Sequence, residues 1–279
     1  MTLSKLTLSF QKINMYSRCG LQYYFRYIEG LKIPPTTSVA IGSAFHKATE
    51  SYYIYKKETK ENPKVDLLLE KYSDEIENIF SEDLLLEKEE ETKGKEKLKG
   101  EIKDAGTRAL RVYYNQRALY LEPWLVEEQF IIKLDQVAKE FGFNDEEFKN
   151  IELLGYVDLV NIEGKVIDHK VKKASPSATE ADKSQQLTIY ALGYKEITGD
   201  LPERVVLENV ILPLNKSSMG KIITLESMRT EKDLSRLLKR ILRVVDGIKK
   251  EVYIPPDQGS WACNYCGYRK VGICKEYLI

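Results

Sequence analysis

Two aspartates and a lysine stand out in residues 155–170, GYVDLVNIEGKVIDHK. The segment reads as two strands joined by a three-residue loop, Ile162 to Gly164, with Gly164 in the left-handed conformation, a hairpin that sets Asp158 opposite Asp168. A two-residue loop would shift that pairing by one position. Opposed side chains have Cβ atoms about 4.5–5.5 Å apart. Two ionised carboxylates at about 4 Å repel by about 4 kcal/mol at an effective dielectric near 20. On strands otherwise built from Leu, Tyr, Val and Ile, such a pair requires a cation or a shared proton. Lys170 lies two residues beyond Asp168, so the strand period puts both on one face. A divalent cation between the carboxylates, with the lysine holding a water, uses all three groups. An ordinary buried or edge ion pair is the plainer alternative.

Other reactive groups fall into sets. Gly42 opens a helix that carries His46 in its first turn, and Gln186 and Tyr190, four residues apart, share one helix face. The four cysteines are Cys19 and a Cys263-x2-Cys266-x7-Cys274 group. Disulfides are disfavoured in a reducing compartment, and such thiols suit either Zn2+ or an iron-sulfur cluster. Around them Tyr16, Tyr23, Tyr24, Phe25 and Tyr27 alternate with Arg18 and Arg26, and Tyr265 and Tyr268 accompany Arg269. Rings with interleaved arginines suit stacking on single strands and phosphate contact. The near-helical spacing of Tyr16, Tyr23 and Tyr27 equally suits a packed core.

These groups need a scaffold. Residues 44–121 read as helical, with a polar stretch at 87–101 between helices and so few recurring apolar residues that the segment reads as an exposed or mobile cover. Alternation at Phe130, Ile132 and Leu134, then across the hairpin, reads as three strands, followed by a helix at 180–197 and a strand from Val205 to Leu214. Thr230 and Asp233 form a capping box for a helix with one apolar stripe, Leu234, Leu237, Leu238, Ile241, Leu242, Val245 and Ile248, which Pro255-Pro256 ends. The order implies an α/β core whose sheet need not be all parallel.

At 279 residues, with 43 Lys plus Arg against 43 Asp plus Glu, the chain is neutral overall. It has no run of about 18 apolar residues to span a membrane, and its N-terminus lacks the apolar run of a secretory signal, so the cytoplasm is the expected compartment. Neutrality would argue against a nucleic-acid partner, but it is a sum of opposed blocks. The first 49 residues hold six basic side chains against Glu29 alone, and residues 229–250 hold eight against three. Residues 56–105 carry eleven Lys against sixteen acids. This asymmetry is compatible with a polyanionic partner.

Taken together, Gly42-x-x-x-His46, Gly155-Tyr156-Val157-Asp158, Ile167-Asp168-His169-Lys170 and Gln186-x-x-x-Tyr190 resemble the PD-(D/E)xK nuclease superfamily in its RecB-like branch, which includes the AddB nuclease domain and RecB-like CRISPR-associated exonucleases. The resemblance runs from about residue 8 to 275 and lapses over the helical segment. It implies one α/β domain over 1–279 with a restriction-endonuclease-like core, a mixed central sheet flanked by helices at about 123–250. A helical insertion at about 56–120 and a cysteine-rich iron-sulfur strap at 253–279 would complete it. By this resemblance His46, Asp158 and Asp168 ligate Mg2+ or Mn2+, Lys170 positions or activates the attacking water, and Gln186 and Tyr190 orient the site or the DNA backbone. Cys19, Cys263, Cys266 and Cys274 would hold a 4Fe-4S cluster, with Zn2+ as the alternative, and Arg18, Arg26 and Arg269 would contact DNA. The sequence departs from the family pattern at His169 and Val171, where an aromatic residue and Thr are common, at Gly20, where Pro is common, and in the seven-residue final cysteine spacing.

The implied activity is metal-dependent exonuclease action on single-stranded or end-processed DNA, in recombination, repair, phage replication or CRISPR adaptation. A helicase, a recombinase or a CRISPR adaptation protein would be the partner in those settings. The alternative is a non-catalytic metal-cluster module that binds DNA.

Overall fold

The structure, a computed structural model, describes residues 5–213, 215, 217–257 and 259–275. Residues 276–279 of the expected strap lie outside the described residues. In chain order the elements are β1 (Leu6–Leu8), α1 (Phe10–Arg18), α2 (Gly20–Tyr23), a π-helical turn (Tyr24–Ile28), α3 (Thr37–Thr59), α4 (Val65–Ser81), α5 (Lys88–Lys93), α6 (Lys95–Tyr113) and a second π-helical turn (Tyr114–Ala118). There follow β2 (Pro123–Lys133), α7 (Leu134–Glu140), β3 (Ile151–Asn161), β4 (Lys165–Lys172), α8 (Glu180–Lys183), α9 (Gln185–Thr198), β5 (Arg204–Ile211), β6 (Lys221–Ser227), α10 (Glu231–Lys249), α11 (Trp261–Asn264) and α12 (Gly267–Lys270). The chain divides into two compact units, a larger one of Pro34–Gln129 with Tyr156–Arg229 and a smaller one of Met1–Ile33, Phe130–Gly155 and Thr230–Ile279.

In the larger unit β3 runs antiparallel to β4, β4 parallel to β5, and β5 antiparallel to β6, a mixed sheet. Leu159 pairs with Ile167 and Val160 with Val166. That is the register of the three-residue loop. Gly164 turns the chain at φ +78°, its N–H donates to the Asn161 carbonyl at 3.0 Å, and the Asn161 side chain accepts from Lys165 N at 2.9 Å. Strand β6 carries no sequence expectation. It lies at the end of the sheet order, and an edge strand that buries little shows no clean alternation.

Helix α3 starts earlier than Gly42. Thr36 caps it by accepting from Val39 N at 3.4 Å, so His46 lies in the third turn rather than the first. Residues 87–101 do not separate helices. They form α5, opened by a Glu87/Glu90 capping box, and the start of α6. Nor is the helical segment a mere cover. Leu68, Tyr72, Ile76 and Phe80 recur every fourth residue on α4, and with Leu98, Ile102 and Leu110 of α6 they share one core with Phe45, Tyr52 and Tyr53 of α3 and with Leu159, Ile167 and Val206 of the sheet. Each such side chain contributes about 1.5–3 kcal/mol on burial. Its tyrosines and its spacing, more than its apolar content, build this core. The helix expected at 180–197 is two helices, because Ser184 interrupts it and caps α9 through Leu187 N at 3.2 Å.

In the smaller unit β1 lies parallel to the first residues of β3, and α1 packs on α10. The Thr230/Asp233 capping box is present, and the expected stripe is buried, with Val244 added and Leu242 only half-buried. Helix α10 ends at Lys249, before Pro255-Pro256, and Glu251 turns the chain at φ +56°. Gly20 has a specific reason. Its N–H donates to the Ile254 carbonyl at 2.8 Å, and a Cβ there would stand 2.6–2.7 Å from the Tyr253–Ile254 backbone. Pro could supply neither the donor nor the space. Tyr16, Tyr23, Tyr24 and Tyr27 pack among one another and Tyr253, so these rings are held as packing and not as free stacking faces.

Candidate active site and cysteine centre

The polar groups of the larger unit converge where α3 and α9 pack against β4. Strand β4 presents Asp168 and Lys170, β3 presents Asp158, α9 presents Gln186 and Tyr190 one turn apart, and α3 presents His46. Lys170 Nζ donates to Asp168 Oδ1 at 3.0 Å and to Gln186 Oε1 at 2.8 Å. Because an ammonium only donates, Gln186 must turn its oxygen to Lys170, which leaves its Nε2 to donate to the Tyr190 hydroxyl at 2.8 Å. The hydroxyl proton is thereby directed to Asp158 Oδ1, at 3.1 Å. Asp158 Oδ2 accepts from His169 N at 3.3 Å and lies 3.3 Å from His46 Nδ1. All six residues expected at the catalytic and metal positions therefore form one connected network.

Burial sets the charge states. It pushes the pKa of both aspartates up, Lys170 pulling down in each case and Asp158 adding to the rise at Asp168. It pushes that of His46 down, which favours the neutral imidazole that ligates metals. Tyr190 is raised far above the ordinary phenol value, so it remains a donor. Asp168 is fully buried, and although Lys170 Nζ is 2.9 Å from its Oδ2, only the Oδ1 contact has hydrogen-bond geometry. A buried carboxylate oxygen that accepts no hydrogen bond is a poor stopping point for protein atoms alone and a natural one for a cation.

The groups that close to within 4.8 Å of one another are His46, Glu127 and Asp158; Asp168 is not among them. Glu127 was not singled out from the sequence. It sits in β2 at φ +48°, a conformation rare for a residue with a Cβ, and no hydrogen bond or ion pair satisfies it among the described residues. Burial and the neighbouring Asp158 push its pKa up to about 8. The available signal was the adjacent acid pair Glu127-Glu128 inside an otherwise largely apolar strand.

His169 and Val171, the two departures beside the site, fill the core. His169 Nε2 lies 2.7 Å from the Tyr113 hydroxyl, itself 2.6 Å from that of Tyr53, and the imidazole packs against Phe45, Tyr53 and Tyr113. It occupies an aromatic slot as an aromatic ring would, and adds a hydrogen bond. Val171 packs on the hydrophobic core.

In the smaller unit Cys19, Cys263, Cys266 and Cys274 line one cavity with Gln22, Phe25 and Arg269. All four are free thiols, and burial raises the pKa of Cys19 and Cys263. The three arginines fare differently. Arg269 lines the cavity, Arg18 donates to Gln22 Oε1 at 2.6 Å, and Arg26 lies against the Tyr268 hydroxyl, which itself donates to the Leu31 carbonyl at 2.7 Å.

No curated protein matches the chain. Among solved structures, a candidate exonuclease from Eubacterium rectale superposes with a TM-score of 0.50 at 13% identity, over 94% of this chain and 93% of that one, a likeness of fold. The profile of the PD-(D/E)XK nuclease superfamily matches residues 7–274. With the hairpin carboxylates, the lysine and the mixed sheet in place, the protein belongs to the PD-(D/E)XK nuclease superfamily.

Proposed function

We propose that this nuclease is a Mg2+- or Mn2+-dependent exodeoxyribonuclease of the RecB-like branch, acting on single-stranded or end-processed DNA. The observation that carries the reading is the closed network from Asp168 through Lys170, Gln186 and Tyr190 to Asp158, beside the His46, Glu127 and Asp158 group. His46, Glu127, Asp158 and Asp168 would hold the divalent ion, which when bound stabilises charge on the phosphodiester as a Lewis acid. Lys170 spends two donors on Asp168 and Gln186, and its third holds the attacking water. The water attacks phosphorus in line and gives up a proton to solvent as the new bond to phosphorus forms, the bond to the 3′-oxygen breaks, and the 3′-oxygen takes up a proton from solvent. Gln186 and Tyr190 keep Lys170 and Asp158 in place so that little reorganisation accompanies the reaction.

The four cysteines are proposed to hold a 4Fe-4S cluster. What supports this reading is that all four cysteines line one cavity, in a one-plus-three order along the chain. The cluster's role would be structural, closing Cys19 onto the strap.

Asp168→Ala and Lys170→Ala should each abolish Mg2+-dependent degradation of end-labelled DNA with an unchanged circular dichroism spectrum. Full activity in either variant would sink the assignment, and retained DNA binding without turnover in the wild type would favour a non-catalytic module. Anaerobic purification followed by visible absorption and metal analysis tests the cluster, which a colourless protein with stoichiometric zinc would exclude.

A further inference from the structure

Trp261 and Tyr265 stand exposed at 65% and 74% on the turn that carries Cys263. They are four residues apart, and Tyr265 N donates to the Trp261 carbonyl at 3.3 Å, which closes one turn of chain between them, with Tyr265 standing just past the end of α11. Single exposed aromatics are ordinary. Here the two flank a buried Ala262 and a cysteine of the shared cavity, which gives the pair a fixed base. The other rings of this unit with the spacing for stacking are engaged with each other. The local charge is on balance basic: residues 257–276 contain Arg269, Lys270 and Lys275 against Asp257 and Glu276. The smaller unit as a whole carries 18 Lys plus Arg against 13 Asp plus Glu, the larger 25 against 30.

We propose that Trp261 and Tyr265 form a base-stacking platform for single-stranded DNA, with the basic residues of the cysteine segment countering its phosphates. The inference rests on the nuclease reading and adds the residues that select an unpaired strand. Bases in a duplex keep their faces against one another, and only an unpaired strand offers them to exposed rings. An apolar protein partner would have no use for the basic excess of this unit.

The chain has two tryptophans, and Trp124, paired edge-on with Tyr194, is outside the site network. Trp124→Phe therefore leaves Trp261 as the reporter. The full, anaerobically purified protein is titrated with oligothymidylate in Ca2+ or EDTA, so that no cleavage occurs. Saturable quenching is expected from the oligonucleotide and much weaker quenching from a blunt duplex. By anisotropy of a labelled oligonucleotide, Trp261→Ala and Tyr265→Ala should each weaken Kd on the order of ten-fold. Trp261→Phe and Tyr265→Phe, which keep a ring and the packing, should retain most of the affinity. Absent quenching, or equal quenching by duplex, overturns the platform. If the wild type meanwhile degrades DNA, the nuclease reading stands without it; a wild type that neither binds nor degrades DNA removes both.

Discussion

Lys170 is the residue at which the carboxylate pair becomes legible as chemistry. It satisfies one oxygen of Asp168 and leaves the other without a hydrogen bond, inside a site where three acids are pushed toward the neutral form. A divalent ion must displace those protons. With Asp168 near 7 and Glu127 near 8, Mn2+ affinity should rise steadily from pH 6 to 8, which titration calorimetry in two buffers of different ionisation enthalpy would show as proton release. Without metal the sign of stability follows from the same shifts. The folded acids hold protons more tightly than the unfolded chain, so metal-free stability should fall as pH rises from about 4 through 8. Glu127→Gln should cut Mn2+ affinity by about ten-fold and flatten the upper end of the profile; an unchanged affinity would remove Glu127 from the ligand set. Strand period and a three-residue loop bring Asp158, Asp168 and Lys170 together on paper, and the family resemblance is what turns them from an ion pair into a site. Glu127 could not be found that way, because its approach depends on a left-handed backbone in β2 that no residue type there announces.

At the scale of elements, the site depends on α3 keeping step with β4. Tyr53 lies two turns beyond His46 on α3, and its bond to Tyr113 and onward to His169 pins that helix to the strand between Asp168 and Lys170. His169→Phe keeps the ring and loses the bond, so unfolding in urea should show a loss of about 1–3 kcal/mol. Mn2+ affinity should fall with it, and Tyr113→Phe should do the same. Gly20→Ala places a methyl against the Tyr253–Ile254 backbone, and the thermal midpoint should drop sharply, as should iron retention after dialysis if the proposed cluster is present. The hairpin and the α10 cap could be read from sequence because each is local. The edge strand β6 and the real start of α3 could not: one lacks alternation, and the other is fixed by Thr36, a cap with no acidic partner three residues on.

Across the molecule, neutrality resolves into a basic smaller unit and an acidic larger one. Exposed Lys232, Arg236, Lys239, Arg240 and Arg243 recur along one side of α10, opposite its buried stripe. DNA affinity should therefore fall steeply with salt, and Arg240→Glu with Arg243→Glu should lower the slope of log affinity against log salt by about one for each phosphate no longer neutralised. A slope unchanged by both would place the DNA elsewhere. The acidic helical segment cannot simply be removed to test this, since deleting 82–101 takes away α5 and the buried Leu98. Charge could be counted from the sequence, but its partition could not, because each unit is assembled from separated stretches of chain.

That assembly has a consequence in time. Cys19 emerges from the ribosome roughly 240 residues before the first of its three companions, and a loop of that length closes slowly on its own. Both stretches of the larger unit, with every residue of the hydrogen-bonded network, are synthesised before Cys263 exists. A chain ending at Arg229 and free of the ribosome should already protect the hairpin from protease, while any centre that the four cysteines hold could be completed only after Cys274.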